Sequence, residues 1–213
     1  MKFSEKERIA RNIRRELGKK YWYKQSDDIN WKIKGEYFFW INTLHIICSD
    51  FRVKPLYMDD LYWKIINPGR EERFPQSLRG TGILGSSSIM LWDERFPKNL
   101  NKDFSAEWYE QILTQVFEKA DETIESFFIE NPVPDRFSEI LLKNNDRKDL
   151  GFVLALVKEQ KYEAAIEMAG ELKDAPGVGI AYLMPDNTQK DCYEFIIDYC
   201  RAMINGYEYH VKI

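Results

Sequence analysis

Cysteine and histidine are scarce in this chain. Its 213 residues hold three cysteines, Cys48, Cys192 and Cys200, and two histidines, His45 and His210. An odd, small number of thiols excludes a disulfide framework of the kind that staples small secreted domains. Cys192 and Cys200 fall eight residues apart in a helical pattern, about 12 Å along an axis rising 1.5 Å per residue, too far for a disulfide. His45 and Cys48 are three apart on an expected strand and so point to opposite faces, where they cannot chelate together. No three- or four-ligand spacing emerges, so neither a metal nor a cofactor is expected. The sequence also has no Asn-x-Ser/Thr sequon and no long apolar run. The longest runs, Tyr37 to Ile41 and Phe152 to Val157, fall far short of a membrane span. The amino terminus lacks the apolar stretch of a signal peptide, and a cytoplasmic location is the expectation.

What is present is ordinary in amount and uneven in arrangement. Hydrophobic residues make up 44% and charged residues 31%, values of a globular chain with a sizeable core. Residues 1–102 carry 20 basic and 13 acidic side chains, a net of +7, and residues 103–213 carry 11 and 22, a net of −11. Opposite charge on two halves holds them together or serves different partners. Its ordinary explanation is that helices carry glutamate on their solvated faces.

Periodicity divides the chain in the same place. Ile9, Ile13 and Leu17 recur at four-residue spacing after a Ser4–Glu7 capping box, which predicts an opening helix stopped at Gly18. Tyr21 to Tyr23, Ile29 to Lys34, Glu36 to Cys48 and Phe51 to Pro55 then read as successive antiparallel strands, Pro55 confining the last to an edge or an end. Asp59 to Ile66 reads as a short helix with an aspartate cap. Ser77 to Trp92 supplies one or two further strands. From Trp108, the residues Ile112, Val116, Ala120, Ile124 and Phe128 recur at four, flanked by Leu113 and Phe117, and predict a long amphipathic helix ended by Asn131-Pro132. Helices over about 135–143, 147–159, 161–174 and 188–205 follow, and Tyr207 to Ile213 alternates like a returning strand. Residues 149–174 resemble one tetratricopeptide-type helical hairpin, without the further copies a solenoid needs. The expected fold is α+β: one domain over 1–213, with a helix and antiparallel β-meander of four to six strands in 1–102 and a mainly helical subdomain in 103–213.

Chemistry-bearing motifs are few. Gly80-Thr81-Gly82-Ile83-Leu84-Gly85 matches the dinucleotide fingerprint in letters, but no buried strand precedes it and no helix opens after it. Ser86, Ser87 and Ser88 lack a nucleophile-elbow pattern. Asp59 and Asp60 are explained by the positive end of a helix dipole. No catalytic residue is assigned. The densest mixture of charge and aromatic character runs from Phe51 to Trp63. There, alternation places Arg52 and Lys54 on the face opposite Phe51 and Val53, so Arg52 and Lys54, with Tyr57 or Trp63 beside them, are the candidate binding residues. The ordinary alternative for these residues is an amphipathic strand with a solvated basic face. The first 24 residues carry nine basic side chains against three acidic ones. Arg8, Arg11, Arg15 and Trp22 form the alternative nucleic-acid surface, where cations meet phosphates and the ring stacks on bases. An overall pI near 5.4 weighs against that alternative.

The block from Phe51 to Trp63, with the aromatic hairpin Tyr37 to Ile47 before it, resembles uncharacterised bacterial proteins grouped under a domain of unknown function. The likeness covers about residues 5–95. It implies an amino-terminal helix followed by a β-meander and a bacterial origin, and supplies neither activity nor site residues. The leading expectation is therefore a non-enzymatic interaction protein with a protein partner. An enzyme or small-molecule binder with a pocket between sheet and helices comes next, then nucleic-acid binding; no membrane is expected.

Overall fold

The computed structural model describes residues 3–26, 29–45, 48–66, 75–80, 85, 87–95, 105–145, 149–175, 180–184 and 186–210. These residues divide between two units. The first comprises Met1–Lys54 with Ser88–Pro134, the second Pro55–Ser87 with Asp135–Ile213. The architecture is α+β: an amino-terminal helix, a five-stranded antiparallel sheet, then packed helices.

In the first unit, helix α1 (Phe3–Lys20) buries Ala10, Arg14 and Leu17 and packs on a long helix from later in the chain. The sheet has strand order β1-β2-β3-β4-β5, formed by β1 (Lys24–Ser26), β2 (Ile29–Lys34), β3 (Tyr37–His45), β4 (Cys48–Pro55) and β5 (Ile89–Arg95). A tight turn joins β2 to β3, with Gly35 at φ +56°, where a side chain would be strained and its Cβ would lie 2.7 Å from Phe128 Cε2. Tyr37, Phe38, Phe39, Trp40 and Ile41 are all buried, so β3 is covered on both faces, as an unbroken apolar run requires. On one face Phe127 meets the edges of Tyr37 and Phe39 at 5.3 and 5.8 Å between centroids. On the other, Trp31, Phe38 and Trp40 pack together.

Helix α3 (Ala106–Glu130) supplies Phe127 and follows helix α2 (Tyr57–Ile66) in chain order. Ser105 caps it, accepting the Trp108 amide at 3.1 Å. Its buried stripe is Tyr109, Leu113, Val116, Phe117, Ala120, Ile124 and Phe127. Ile112 and Phe128, expected at the centre of that stripe, are half-buried at its margin. Spacings of three and four alternate here because 3.6 residues make a turn, and a strict four-residue repeat drifts off the face. The acidic character of α3 meets the basic sheet: Lys32 pairs with Asp121 at 3.0 Å, Lys34 pairs with Glu125, and the Tyr21 and Tyr23 hydroxyls donate to Glu118 and Asp121.

The second unit is built from α2, a 3-10 turn at Gln76–Leu78, helices α4 (Phe137–Asn145), α5 (Leu150–Lys158), α6 (Tyr162–Lys173) and α7 (Cys192–Ile204), and a small hairpin of β6 (Ala181–Leu183) and β7 (Gln189–Asp191). α5 is buried almost throughout, and Asp149 caps it through the amides of Gly151 and Phe152. α5 and α6 form the αα-hairpin expected over 149–174. Asp191 and Glu194 close a capping box on α7. Three elements differ from the sequence reading. Residues 189–191, expected to open the last helix, pair with Ala181–Leu183 as β7, and α7 begins at Cys192. Tyr207 to His210 lie outside any strand, because Tyr209 turns inward and its hydroxyl sits 3.1 Å from the Ile65 carbonyl and 3.2 Å from that of Phe195. Tyr21 to Tyr23 end a helix instead of forming a strand. Among the described residues no helix is long and apolar enough to cross a membrane.

Candidate functional site

Arg52 and Lys54 lie on β4 in the first unit, Tyr57 and Trp63 on α2 in the second. The β4 register shifts between Phe51 and Arg52. Arg52 is partly exposed and already occupied: its Nε donates to Asp50 Oδ2 at 2.8 Å, and Nη1 reaches Ser88 Oγ at 3.4 Å. Lys54 is fully buried, with Nζ 5.8 Å from the centre of the Trp40 ring. The face opposite Phe51 and Val53 is therefore a second packed face, and Lys54 presents no solvated cation. Trp63 is also buried, edge-on to Tyr62, and Lys158 stands 5.3 Å over the half-buried Tyr57 ring.

Asp59 and Asp60 occupy the first turn of α2, as the dipole argument expects. They hold a buried arginine as well. Arg79 donates to the Leu56 carbonyl at 2.6 Å and to Asp60 Oδ1 at 2.7 Å, with Asp59 Oδ2 at 3.6 Å. This cluster fastens the segment before Gly80 to the helix start. Residues 81–84 and 86 of the glycine- and serine-rich stretch lie outside the described residues, as do the side chains of His45 and Cys48.

The basic face of α1 is exposed. Arg8, Arg11, Arg15 and Lys19 follow at spacings of three, four and four, which places them on one side of the helix. At its end the Tyr23 amide donates to the Gly18 carbonyl at 2.7 Å and the Trp22 amide to that of Lys19 at 3.2 Å. That pair of bonds is a Schellman motif with Trp22 in the left-handed position glycine usually fills, at φ +63°. Its side chain is 84% exposed.

The second unit holds an open cleft of about 570 Å³ formed by α7, the β6–β7 turn and residues 205–210. Phe195 and Tyr209 form its aromatic floor. Around them stand Met184, Lys190, Asp198, Arg201, Tyr207 and His210. The charges of Lys190 and Arg201 meet Asp198 at 2.5 and 3.9 Å, and His210 Nε2 lies 3.4 Å from Glu208. Lys190 Nζ also lies 4.6 Å over the Phe195 ring. Burial first, then the Asp198 charge, pushes the Tyr209 hydroxyl pKa well above the usual phenol range. Tyr207 is 70% exposed at the rim, and exposed Leu183 and Ile204 belong to the elements around it. Sequence reasoning did not single out this cleft. Its one local signal is the run Tyr207-Glu208-Tyr209-His210, whose alternation is also that of a strand.

No group of three or more metal-ligating side chains comes together among the described residues. Cys192 and Cys200 are buried free thiols on α7, and burial raises them to about 11 and about 12. A thiol held protonated is a poor nucleophile. Comparison with family models, curated proteins and solved structures finds no match to this chain.

Proposed function

We propose that this chain is a non-enzymatic interaction protein that receives a segment of a protein partner in the cleft of its second unit. The observation that carries the reading is Tyr207, a largely exposed tyrosine at the rim of a concavity floored by Phe195 and Tyr209. Tyrosine gives a large contact area with few rotors and a polar tip, and it is favoured as an interface anchor. A volume of 570 Å³ falls within the range of ligand-sized clefts. Asp198, Arg201, Asn205, Glu208 and His210 are all exposed, so a bound segment keeps one side in water, as a peptide laid along a groove does. Ion pairs of both signs around the rim favour an occupant of mixed polarity over a single strongly charged ligand.

The test is selection of a displayed random peptide library on the intact chain, with fluorescence-polarisation titration of the enriched sequences. Enriched peptides are expected to bind Tyr207→Ala at least about tenfold more weakly, the scale of an interface anchor. Leu183→Ser should weaken them less, and Ile129→Ser, in the other unit, should leave them unchanged. Peptides that bind Tyr207→Ala as well as the parent, or a selection that enriches nothing, would overturn the reading.

A further inference from the structure

The second exposed aromatic residue lies in the first unit and has a different neighbourhood. Trp22 is the only non-glycine side chain at the end of α1 with positive φ among the described residues, and it makes the C′ position of the Schellman motif. A side chain in this conformation is strained, and glycine would relieve the strain. Burial does not compensate, because the ring is 84% exposed. The two residues beside it are used differently. Tyr21 stacks on Phe117 at 5.6 Å, Tyr23 meets the same ring edge-on at 5.1 Å, and their hydroxyls bond to Glu118 and Asp121. The turn thus fixes both tyrosines against α3 and holds the tryptophan between them outward.

Leading up to that ring is the row Arg8, Arg11, Arg15 and Lys19, which covers about 16 Å of helix at 1.5 Å per residue. Phosphates of one stacked strand rise about 3.4 Å apiece, so the row spans about five of them. Arg8 and Arg11 have no ion pair among the described residues, and Arg15 and Lys19 share the single carboxylate of Glu16 at 3.5 and 3.1 Å. No ion pair joins the row to the acidic helix α3 among the described residues, and Glu118, Asp121 and Glu125 of that helix are engaged by Tyr21, Tyr23, Lys32 and Lys34. The low overall pI therefore conceals a local cationic face.

We infer that this face of α1, together with Trp22, is a binding site for single-stranded nucleic acid, the cations following the phosphates and the indole stacking on a base. A cationic row with a free aromatic ring at its end is the combination such strands require. A duplex offers phosphates but no open base face. An anionic membrane would demand an apolar helix face to sink below the headgroups, and that face of α1, with Ala10 and Leu17, is buried in the unit. This inference is independent of the peptide-binding proposal, since the residues belong to different units.

The experiment is fluorescence anisotropy of dye-labelled 15-mers of oligo-dT and oligo-rU with the intact chain, between 50 and 200 mM NaCl. Binding is expected at the low-salt end with either oligomer. Trp22→Gly should lose about tenfold in affinity, the scale of one lost base stack. Its melting temperature should stay level or rise, which separates lost binding from lost folding. Trp22→Tyr should retain most of the affinity. Arg8→Ser with Arg11→Ser should flatten the log–log salt slope by about 1.4, two phosphates at 0.7 each. The inference is overturned if neither oligomer binds at 50 mM NaCl, or if Trp22→Gly binds as the parent does. It is also overturned if a 15-base-pair duplex binds as tightly as the single strands, or if phosphatidylserine vesicles bind through these residues while the oligomers do not.

Discussion

Gly18 sits two residues before the end of α1, and a Cβ there would lie 2.6 Å from Asn30 Nδ2. Helix propensity alone predicts that Gly18→Ala stabilises the protein by about 1 kcal/mol. Asn30 opposes that gain. It is fully buried on β2 opposite Ile41, so its amide has little room to withdraw. Forcing a methyl group into such a site costs about 1–3 kcal/mol. The expected net effect is a loss of about 1 kcal/mol, or about 2–4 °C in melting temperature for a chain of this length. Asn30 also carries a cost of its own, because neither amide atom has a hydrogen-bond partner among the described residues. Asn30→Ala removes a desolvated amide worth about 1–3 kcal/mol and opens a cavity of similar cost, so alone it should be near neutral. In the double variant the new methyl at position 18 occupies the space the amide leaves. Gly18→Ala should then be stabilising, with a favourable coupling of at least about 1 kcal/mol. Urea unfolding of the four proteins, followed by circular dichroism, measures the cycle. If Gly18→Ala has the same effect with Asn30 as with Ala at that position, the steric argument fails.

Two glycines of the second unit should respond oppositely to alanine. A Cβ at Gly151 would lie 2.9 Å from Ser87 Cα, which is backbone and cannot turn aside, so Gly151→Ala should lower the unfolding free energy by about 1–2 kcal/mol. Gly170 on α6 has nothing within 4 Å of that position, and Gly170→Ala should raise the unfolding free energy by about 1 kcal/mol in the same urea titration. Arg79→Met removes the cation facing the buried Asp59 and should cost about 3 kcal/mol by thermal unfolding, with Asp59→Asn recovering part of the loss. The thiols of Cys192 and Cys200 are raised above an ordinary value near 9, to about 11 and about 12, because burial disfavours the thiolate. The folded state therefore holds these protons longer than the unfolded one. That contribution to stability is fully present below about pH 9 and is lost as pH rises through 11 to 12. Urea midpoints taken between pH 8 and 11 should be level and then fall. A midpoint that climbs above pH 9 would contradict this sign, as would alkylation of Cys192 and Cys200 by iodoacetamide at pH 8 in the native protein, read by peptide mass spectrometry.

The elements with long, uninterrupted periods were legible in the sequence. α1 and α3 each bury one face marked by spacings of three and four, and in the α5–α6 hairpin a helix buried almost throughout meets one that buries Ala165, Met168 and Ala169. What escaped was set by contacts between distant residues or by a local bond pattern that mimics another element. Aromatic residues favour strands, so Tyr21 to Tyr23 read as one. Yet the Gly18 and Lys19 carbonyls take the Tyr23 and Trp22 amides and close a helix end. Gly18 read as the helix stop, but its small size serves the approach of Asn30 and the helix runs on to Lys20. Alternation placed Lys54 correctly on the face away from Phe51 and Val53. It could not tell that this face is buried too, with Lys54 Nζ 5.8 Å from the Trp40 ring centre, because alternation reports sides and not what covers them. The cleft was invisible for a related reason. It depends on Tyr209 reaching the carbonyl of Ile65, 144 residues earlier in the chain.

The charge division illustrates how one composition signal can have two physical origins. The boundary near residue 102 separates +7 from −11 in the sequence. Packing instead groups acidic α3 with the basic sheet, where Asp121 and Glu125 meet Lys32 and Lys34. These pairs are partly exposed and contribute at most about 1 kcal/mol each, too little to account for the fold. Their effect is on specificity, since rotating α3 about its axis would turn its carboxylates away from the lysines. This internal pairing accounts for part of the basic excess of the first half. The row on α1 is outside it, because Arg8 and Arg11 have no carboxylate to meet in their own unit among the described residues. Cations set in line on a helix whose opposite face is fixed by packing, and ending at a strained exposed indole, are the features on which the proposed single-strand site rests.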